Sequence, residues 1–132
     1  MMNLEYYADE YLKEQSEENE RKMMSEIVKT IIEDSEIIID GEKMDDGSID
    51  PCHIQVETDD RFYFHVYTSK KRFDLCNGKK AYVLTLKDLL QPIFQEDTFG
   101  GITLNYKKGE EVVLITKENI YHSMNLYLEE RK

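Results

Sequence analysis

Lys80 to Ile120 reads KAYVLTLKDLLQPIFQEDTFGGITLNYKKGEEVVLITKENI, and this stretch decides the fold class. Ala81-Tyr82-Val83-Leu84-Thr85-Leu86 combines β-branched, aromatic and aliphatic residues and predicts a strand. Thr85 stands three residues before Asp88, a capping-box spacing, so a short helix with Leu89, Leu90, Ile93 and Phe94 starts there. Pro92 kinks or ends that helix, because it lacks an N–H and crowds the preceding turn. Gly100-Gly101 predicts a tight turn into a strand over Ile102-Thr103-Leu104-Asn105. Lys107-Lys108-Gly109 predicts a hairpin turn into Val112-Val113-Leu114-Ile115. Thr116 then caps a last helix with apolar positions Ile120, Met124, Tyr127 and Leu128. This order predicts an α+β domain: a mixed or mainly antiparallel sheet of about five strands with N-terminal and C-terminal helices packed on it.

Working backwards, Thr68-Ser69-Lys70-Lys71-Arg72-Phe73 predicts a short capped helix. Cys52–Glu57 and Phe62–Thr68 predict two strands around Thr58-Asp59-Asp60-Arg61. Setting Cys52, Ile54 and Val56 on the same face as Phe62, Phe64 and Val66 requires a loop of odd length, three or five residues. That register puts His53, Gln55, Glu57, Tyr63, His65 and Tyr67 together on the other face. Glu36-Ile37-Ile38-Ile39 predicts a further strand, with Asp40-Gly41 as a hairpin turn and Asp45–Pro51 as a loop.

Residues 1–34 form an acidic helical arm, read as part of the same domain, and residues 35–132 the α/β domain proper. Leu4, Tyr7, Ala8, Tyr11 and Leu12 recur at helical spacing, as do Met23, Met24, Ile27, Val28, Ile31 and Ile32. A polar stretch separates the two sets, so the arm is two packed helices, the second capped by Ser16, or one long helix with an exposed middle. The stripe of methionines and isoleucines is broad enough to dock on a sheet.

A chain of 132 residues is one domain by its length, and long enough for a core without staples. Its net charge of −11 is unevenly placed. Residues 1–50 hold sixteen acids against five bases, which is the whole surplus, and the remainder balances. Such an arm repels phosphate backbones and anionic lipid, so nucleic acid and membranes are poor partners and a basic protein surface is a good one. The acidic start carries no apolar leader and no apolar run reaches the ~18 residues of a membrane span. Cys52 and Cys76 have no CxxC spacing and read as reduced thiols, which predicts a cytoplasmic protein.

Little catalytic chemistry is written in the chain. No Ser sits in a GxSxG elbow, and Gly100-Gly101 lacks the pattern of a phosphate cradle. Cys76 has no His near it in sequence, and the Asp45–Asp50 carboxylates miss the spacing of a calcium loop. His53 and His65 on one hairpin face would be two metal ligands without a third. No catalytic residue, cofactor or metal is expected.

Three motifs carry a family resemblance: FYFHVYTSKKRF (Phe62–Phe73), YVLTLKDLL (Tyr82–Leu90) and GGITLN (Gly100–Asn105). With the hairpin strand and helix that follow, residues 50–125 resemble the N-terminal domain of the SseB family, the bacterial enhanced serine sensitivity proteins. The family usually has Pro after the Asn of the Gly-led strand, where this chain has Tyr106, and many members carry a second domain not expected here. The resemblance implies a small α/β domain of a bacterial cytoplasm and carries over no catalytic residues.

The expected interaction surface comprises Thr68, Ser69, Phe99, Gly100, Gly101 and Asn105. Paired glycines admit a close backbone approach and Phe99 would be an exposed anchor; the competing reading puts Phe99 in the core. The leading expectation is a non-enzymatic protein-interaction or regulatory module, one version being an inhibitor or immunity-type protein that covers a basic partner. The alternative is a small-molecule binder or small enzyme using His53 and His65. A lesser reading pairs the helical arms of two subunits.

Overall fold

The computed structural model describes residues 2–130, so Met1 of the expected arm and Arg131 and Lys132 of the expected domain lie outside the described residues. The order is α1 (Met2–Lys13), α2 (Glu17–Ile32), β1 (Glu36–Lys43), β2 (Ile49–Pro51), β3 (His53–Val56), β4 (Arg61–Val66), α3 (Lys70–Leu75), β5 (Ala81–Thr85), α4 (Leu86–Gln95), β6 (Phe99–Leu104), β7 (Val113–Thr116) and α5 (Lys117–Glu130). The class is α+β with helices at both ends, as the sequence predicts. Among the described residues the strands number seven, in two sheets ordered β2-β1-β5 and β3-β4-β6-β7. Every pairing is antiparallel except that of β4 with β6. A bridge joins the sheets: Ile38 N–H donates to the Tyr67 carbonyl at 3.2 Å, and Tyr67 N–H to that of Ile38 at 2.8 Å.

Alternation along the strands puts one buried row on a single face. It runs through Ile37 and Ile39 of β1, Phe64 and Val66 of β4, Ile102 and Leu104 of β6, and Val113 and Ile115 of β7. Helices α1, α2, α4 and α5 cover this face with Leu4 and Ala8, Met23, Met24 and Ile27, Leu86 to Ile93, and Ile120. The acidic arm is therefore part of the same core. It is two helices, because the Ser16 hydroxyl accepts the Asn19 N–H at 3.1 Å and caps α2. Met23, Met24, Ile27 and Val28 of the arm's apolar stripe are buried within its own chain, whereas Ile32 at its end is 43% exposed.

Caps at Ser69, Thr85 and Thr116 stand where the sequence places them, each hydroxyl accepting an N–H three residues on at 3.1 Å. Pro92 does not end α4, which runs on to Gln95. Its C-terminal carbonyls are held by Lys117, whose ammonium donates to Ile93 at 3.1 Å and Glu96 at 3.0 Å. Of the apolar positions of α5, Ile120 is buried while Leu128 faces solvent, 53% exposed.

Other local expectations are corrected. Asp40-Gly41 is not a turn: β1 runs through both residues, and the chain reverses at Asp45–Ser48, where Asp46 accepts the Ser48 N–H at 2.9 Å. The Asp40 carboxylate instead accepts the N–H groups of Lys79 and Lys80, at 3.1 and 3.0 Å, fixing the entry to β5. Gly41 is buried against β2, since a Cβ there would lie 2.8 Å from the Asp50 carbonyl oxygen. Ile49–Pro51, expected as loop, is β2.

Gly100-Gly101 likewise lies inside β6 rather than at a turn. The register slips between Phe62↔Phe99 and Tyr63↔Gly101, so Gly100 is the extra residue of a bulge. The β3–β4 register also differs from expectation, with Ile54 opposite Tyr63 and a loop of even length between Val56 and Arg61. The physical reason is that Tyr63, Phe64, His65 and Val66 are all buried, so β4 has two apolar faces and alternation does not choose between them.

Candidate functional site

The parallel pairing brings the carboxyl ends of β4 and β6 side by side, the place where open α/β sheets commonly receive ligands. Thr68 and Ser69 follow β4 and Asn105 follows β6, so three of the six expected surface residues meet there. Asn105 takes a left-handed conformation, φ 54°, which aims its amide back at Thr68. Thr68 N–H donates to Asn105 Oδ1 at 3.0 Å, and Asn105 Nδ2 donates to the Thr68 hydroxyl at 3.1 Å.

The arm fills the remaining valences of this cluster. Glu5 Oε1 accepts both the Thr68 and Ser69 hydroxyls at 2.9 Å. The Arg72 guanidinium lies 3.6 Å from the same oxygen and pairs with Asp9 through its other nitrogen. Cys76 donates its thiol to the Asn105 carbonyl at 3.4 Å, and burial pushes its pKa up, away from a reactive thiolate. The Thr68, Ser69 and Arg72 side chains are thus addressed to α1. A shallow cleft of ≈ 270 Å³ remains beside them, between Leu12, Leu75 and Lys107.

Phe99, Gly100 and Gly101 stand at the opposite end of β6, four to six residues from Asn105 and so roughly 13–20 Å away along the strand. Phe99 is not an exposed anchor: it is half-buried, its ring 4.9 Å from that of Phe64 and packed on the core. Both glycines are buried under neighbours. The six-residue surface is therefore two separate places.

The two histidines are separated as well. His53 is exposed and meets the rings of Phe62 and Phe64 edge-on, whereas the even loop turns His65 to the other face. There His65 stacks on Tyr106 at 4.1 Å and contacts the Thr103 hydroxyl through Nδ1 at 2.7 Å. Burial lowers its pKa to about 4, keeping it neutral. Neither histidine lines the cleft just described. Among the described residues, no three His, Cys, Asp or Glu side chains are arranged to hold a metal ion.

A charged network with no signal in the sequence ties the β3–β4 hairpin to α5. Arg61 donates to both oxygens of Glu118 at 2.9 Å and to Asp59 at 3.1 Å. Tyr63 donates to Asp59 at 2.5 Å; burial and that bond raise the phenol pKa to about 12. Arg61 and Glu118 are 57 positions apart, so no local pattern could have linked them.

The acids of the arm fall into two groups. Glu5 and Asp9 are half-buried and face inward partners. Glu14, Glu17, Glu18 and Glu20 are exposed around the α1–α2 turn, at and before the first turn of α2. Gln15 donates to Glu111 at 2.7 Å, which brings the β6–β7 loop with Glu110 and Glu111 up to this acidic corner. No helix among the described residues is long and apolar enough to cross a membrane. A scan of protein-family models finds no match, and neither a curated protein nor a solved structure matches the chain.

Proposed function

We propose that the chain is a non-enzymatic protein-interaction module of a bacterial cytoplasm, related to the SseB N-terminal domain, that recognises a basic partner. The observation that carries this reading is the division of the arm: Met23, Met24, Ile27 and Val28 are buried in the core while Glu14, Glu17, Glu18 and Glu20 remain exposed around the α1–α2 turn. Carboxylates held at fixed positions on a docked helix steer a basic surface and set its register more effectively than the same charges on a loose tail. The filled valences around Thr68, Ser69 and Asn105 weigh against a small-molecule site, and the placement of His53 and His65 on opposite faces of the hairpin weighs against a site that uses both. An inhibitor or immunity-type role, with the acidic corner covering a basic target, is one form of the same reading.

The test uses immobilised full-length chain and its Glu17→Gln/Glu18→Gln/Glu20→Gln variant as baits in a bacterial lysate. Both are first checked for equal folding by circular dichroism. A partner held by the wild type, lost from the variant and released between about 50 and 300 mM salt is the expected result. Capture that ignores both salt and the substitutions would contradict an electrostatic module.

A further inference from the structure

We infer that the groove between α2 and α5 is a seat for a basic amphipathic helix. This rests on the protein-interaction reading and names the surface that does the binding. The groove encloses ≈ 620 Å³ and is lined by residues of α1, α2 and α5. Tyr7, Met24, Val28 and Leu126 supply its apolar lining, with Met24 and Val28 themselves buried at 4% and 2% exposure. Leu126 is 46% exposed although it stands in a groove, so an apolar side chain is left there for an incoming one to cover.

Charge around the groove names the occupant. Glu17, Glu20, Glu26 and Glu130 line it against Arg21 and Lys22, an excess of carboxylates. Lys22 is already engaged by Glu18 at 3.4 Å, which weakens it as a partner for an incoming acid. An acidic helix would be repelled, and a second copy of this arm would bring like charge to like charge. A helix with apolar side chains at i, i+3, i+4 and i+7 and lysines or arginines on its flanks would satisfy both lining and rim. The 14 residues of α5 extend about 21 Å at 1.5 Å per residue, room for about four turns of such a ligand laid alongside.

The probe is a synthetic peptide of about 14 residues, helical in pattern, with leucines on one face and lysines on the other. A scrambled isomer of equal charge is the control. Binding to the full-length chain is followed by fluorescence anisotropy and by amide chemical shifts. The patterned peptide should bind at least about tenfold more tightly than the scrambled one, with shifts confined to α2, α5 and the facing part of α1. Leu126→Asp, at an exposed position, should weaken it by about tenfold, while Glu17→Gln and Glu130→Gln should mainly flatten its salt dependence. Equal binding of the two peptides, no binding, shifts elsewhere, or indifference to Leu126→Asp would overturn the groove assignment. Sedimentation of Leu126→Asp against wild type separates the rival occupant: a wild-type dimer lost in the variant would make the groove a self-association face. If the lysate partner is retained by Leu126→Asp in a salt-sensitive way, the interaction module stands and only the groove fails; if no salt-sensitive partner exists, both fail.

Discussion

Replacing Gly101 by alanine is the sharpest perturbation of the fold. A Cβ built there lies 2.0 Å from the Ile115 carbonyl oxygen and 3.0 Å from both the Ile115 carbonyl carbon and Thr116 Cα. Ordinary contact begins at 3.4 Å, so the oxygen must retreat by about 1.4 Å or the strands must part. The obstacle is backbone of β7, paired with β6 from Gly101↔Thr116 to Leu104↔Val113, and no rotamer relieves it. Overpacking of well-ordered interiors costs about 1–3 kcal/mol; with hydrogen bonds of a buried ladder also disturbed, Gly101→Ala should cost about 3 kcal/mol or more. Gly100→Ala meets side chain instead, with Tyr63 Cζ at 2.5 Å, and should cost about 2 kcal/mol as the ring shifts and strains its bond to Asp59. Gly109→Ala, with φ +86° and nothing within 4 Å, should cost only the left-handed backbone penalty of about 1 kcal/mol. Urea unfolding followed by circular dichroism measures all three. A turn at Gly100-Gly101 would give the Gly109 value at both sites, so Gly101→Ala within about 1 kcal/mol of wild type would refute the in-strand placement.

Four further outcomes follow from the side-chain geometry. Glu5→Ala removes the acceptor for two hydroxyls and should lower stability by about 1–2 kcal/mol, whereas Glu14→Gln on the exposed corner should stay within about 0.5 kcal/mol, both by urea midpoint. Arg61→Ala should lose about 1–2 kcal/mol, and a double-mutant cycle with Glu118→Gln should return a coupling of about 0.5–1 kcal/mol, because the contact is bidentate but Glu118 is well exposed. Lys117→Met should cost about 1 kcal/mol by freeing two carbonyls at the end of α4, read as a lowered Tm. His65 is held neutral with a pKa near 4 against 6.5 unfolded, so its contribution is complete above pH 6.5 and lost as pH falls toward 4. The wild type should therefore lose on the order of 2 kcal/mol more than His65→Gln between pH 7 and 4, measured as the change in unfolding free energy.

Caps and periodic stripes were legible because each is a local rule. Ser16, Ser69, Thr85 and Thr116 all accept the N–H three residues on, and the stripe Met23, Met24, Ile27 and Val28 is buried as its spacing requires. Glycines were misread for one physical reason. A missing Cβ serves a turn or a close approach equally well, and the atoms that Gly41, Gly100 and Gly101 make room for belong to Asp50, Tyr63 and Ile115. The β3–β4 register was lost because β4 is buried on both faces, and with it went the shared face of His53 and His65. In the candidate surface, Thr68, Ser69 and Asn105 meet because β4 and β6 run parallel. The engagement of Thr68 and Ser69 by Glu5, and of neighbouring Arg72 by Asp9, depends on contacts spanning 63 and 64 positions, for which a single sequence holds no signal.

Docking of the acidic arm by its apolar face is what holds the exposed carboxylates of the α1–α2 turn in fixed positions, and hydrogen–deuterium exchange of the full-length chain tests it most directly. Leu4 and Ala8 are 1% and 2% exposed, and Ile27 and Val28 are 0% and 2% exposed. Amides of Ala8–Leu12 and Met23–Ile32 should be protected to within about 2 kcal/mol of those in β4 and β6, allowing for fraying of a terminal helix. Arm amides exchanging near the rate of an unstructured chain while the sheet stays protected would contradict the docked arm and, with it, the acidic surface proposed for partner recognition.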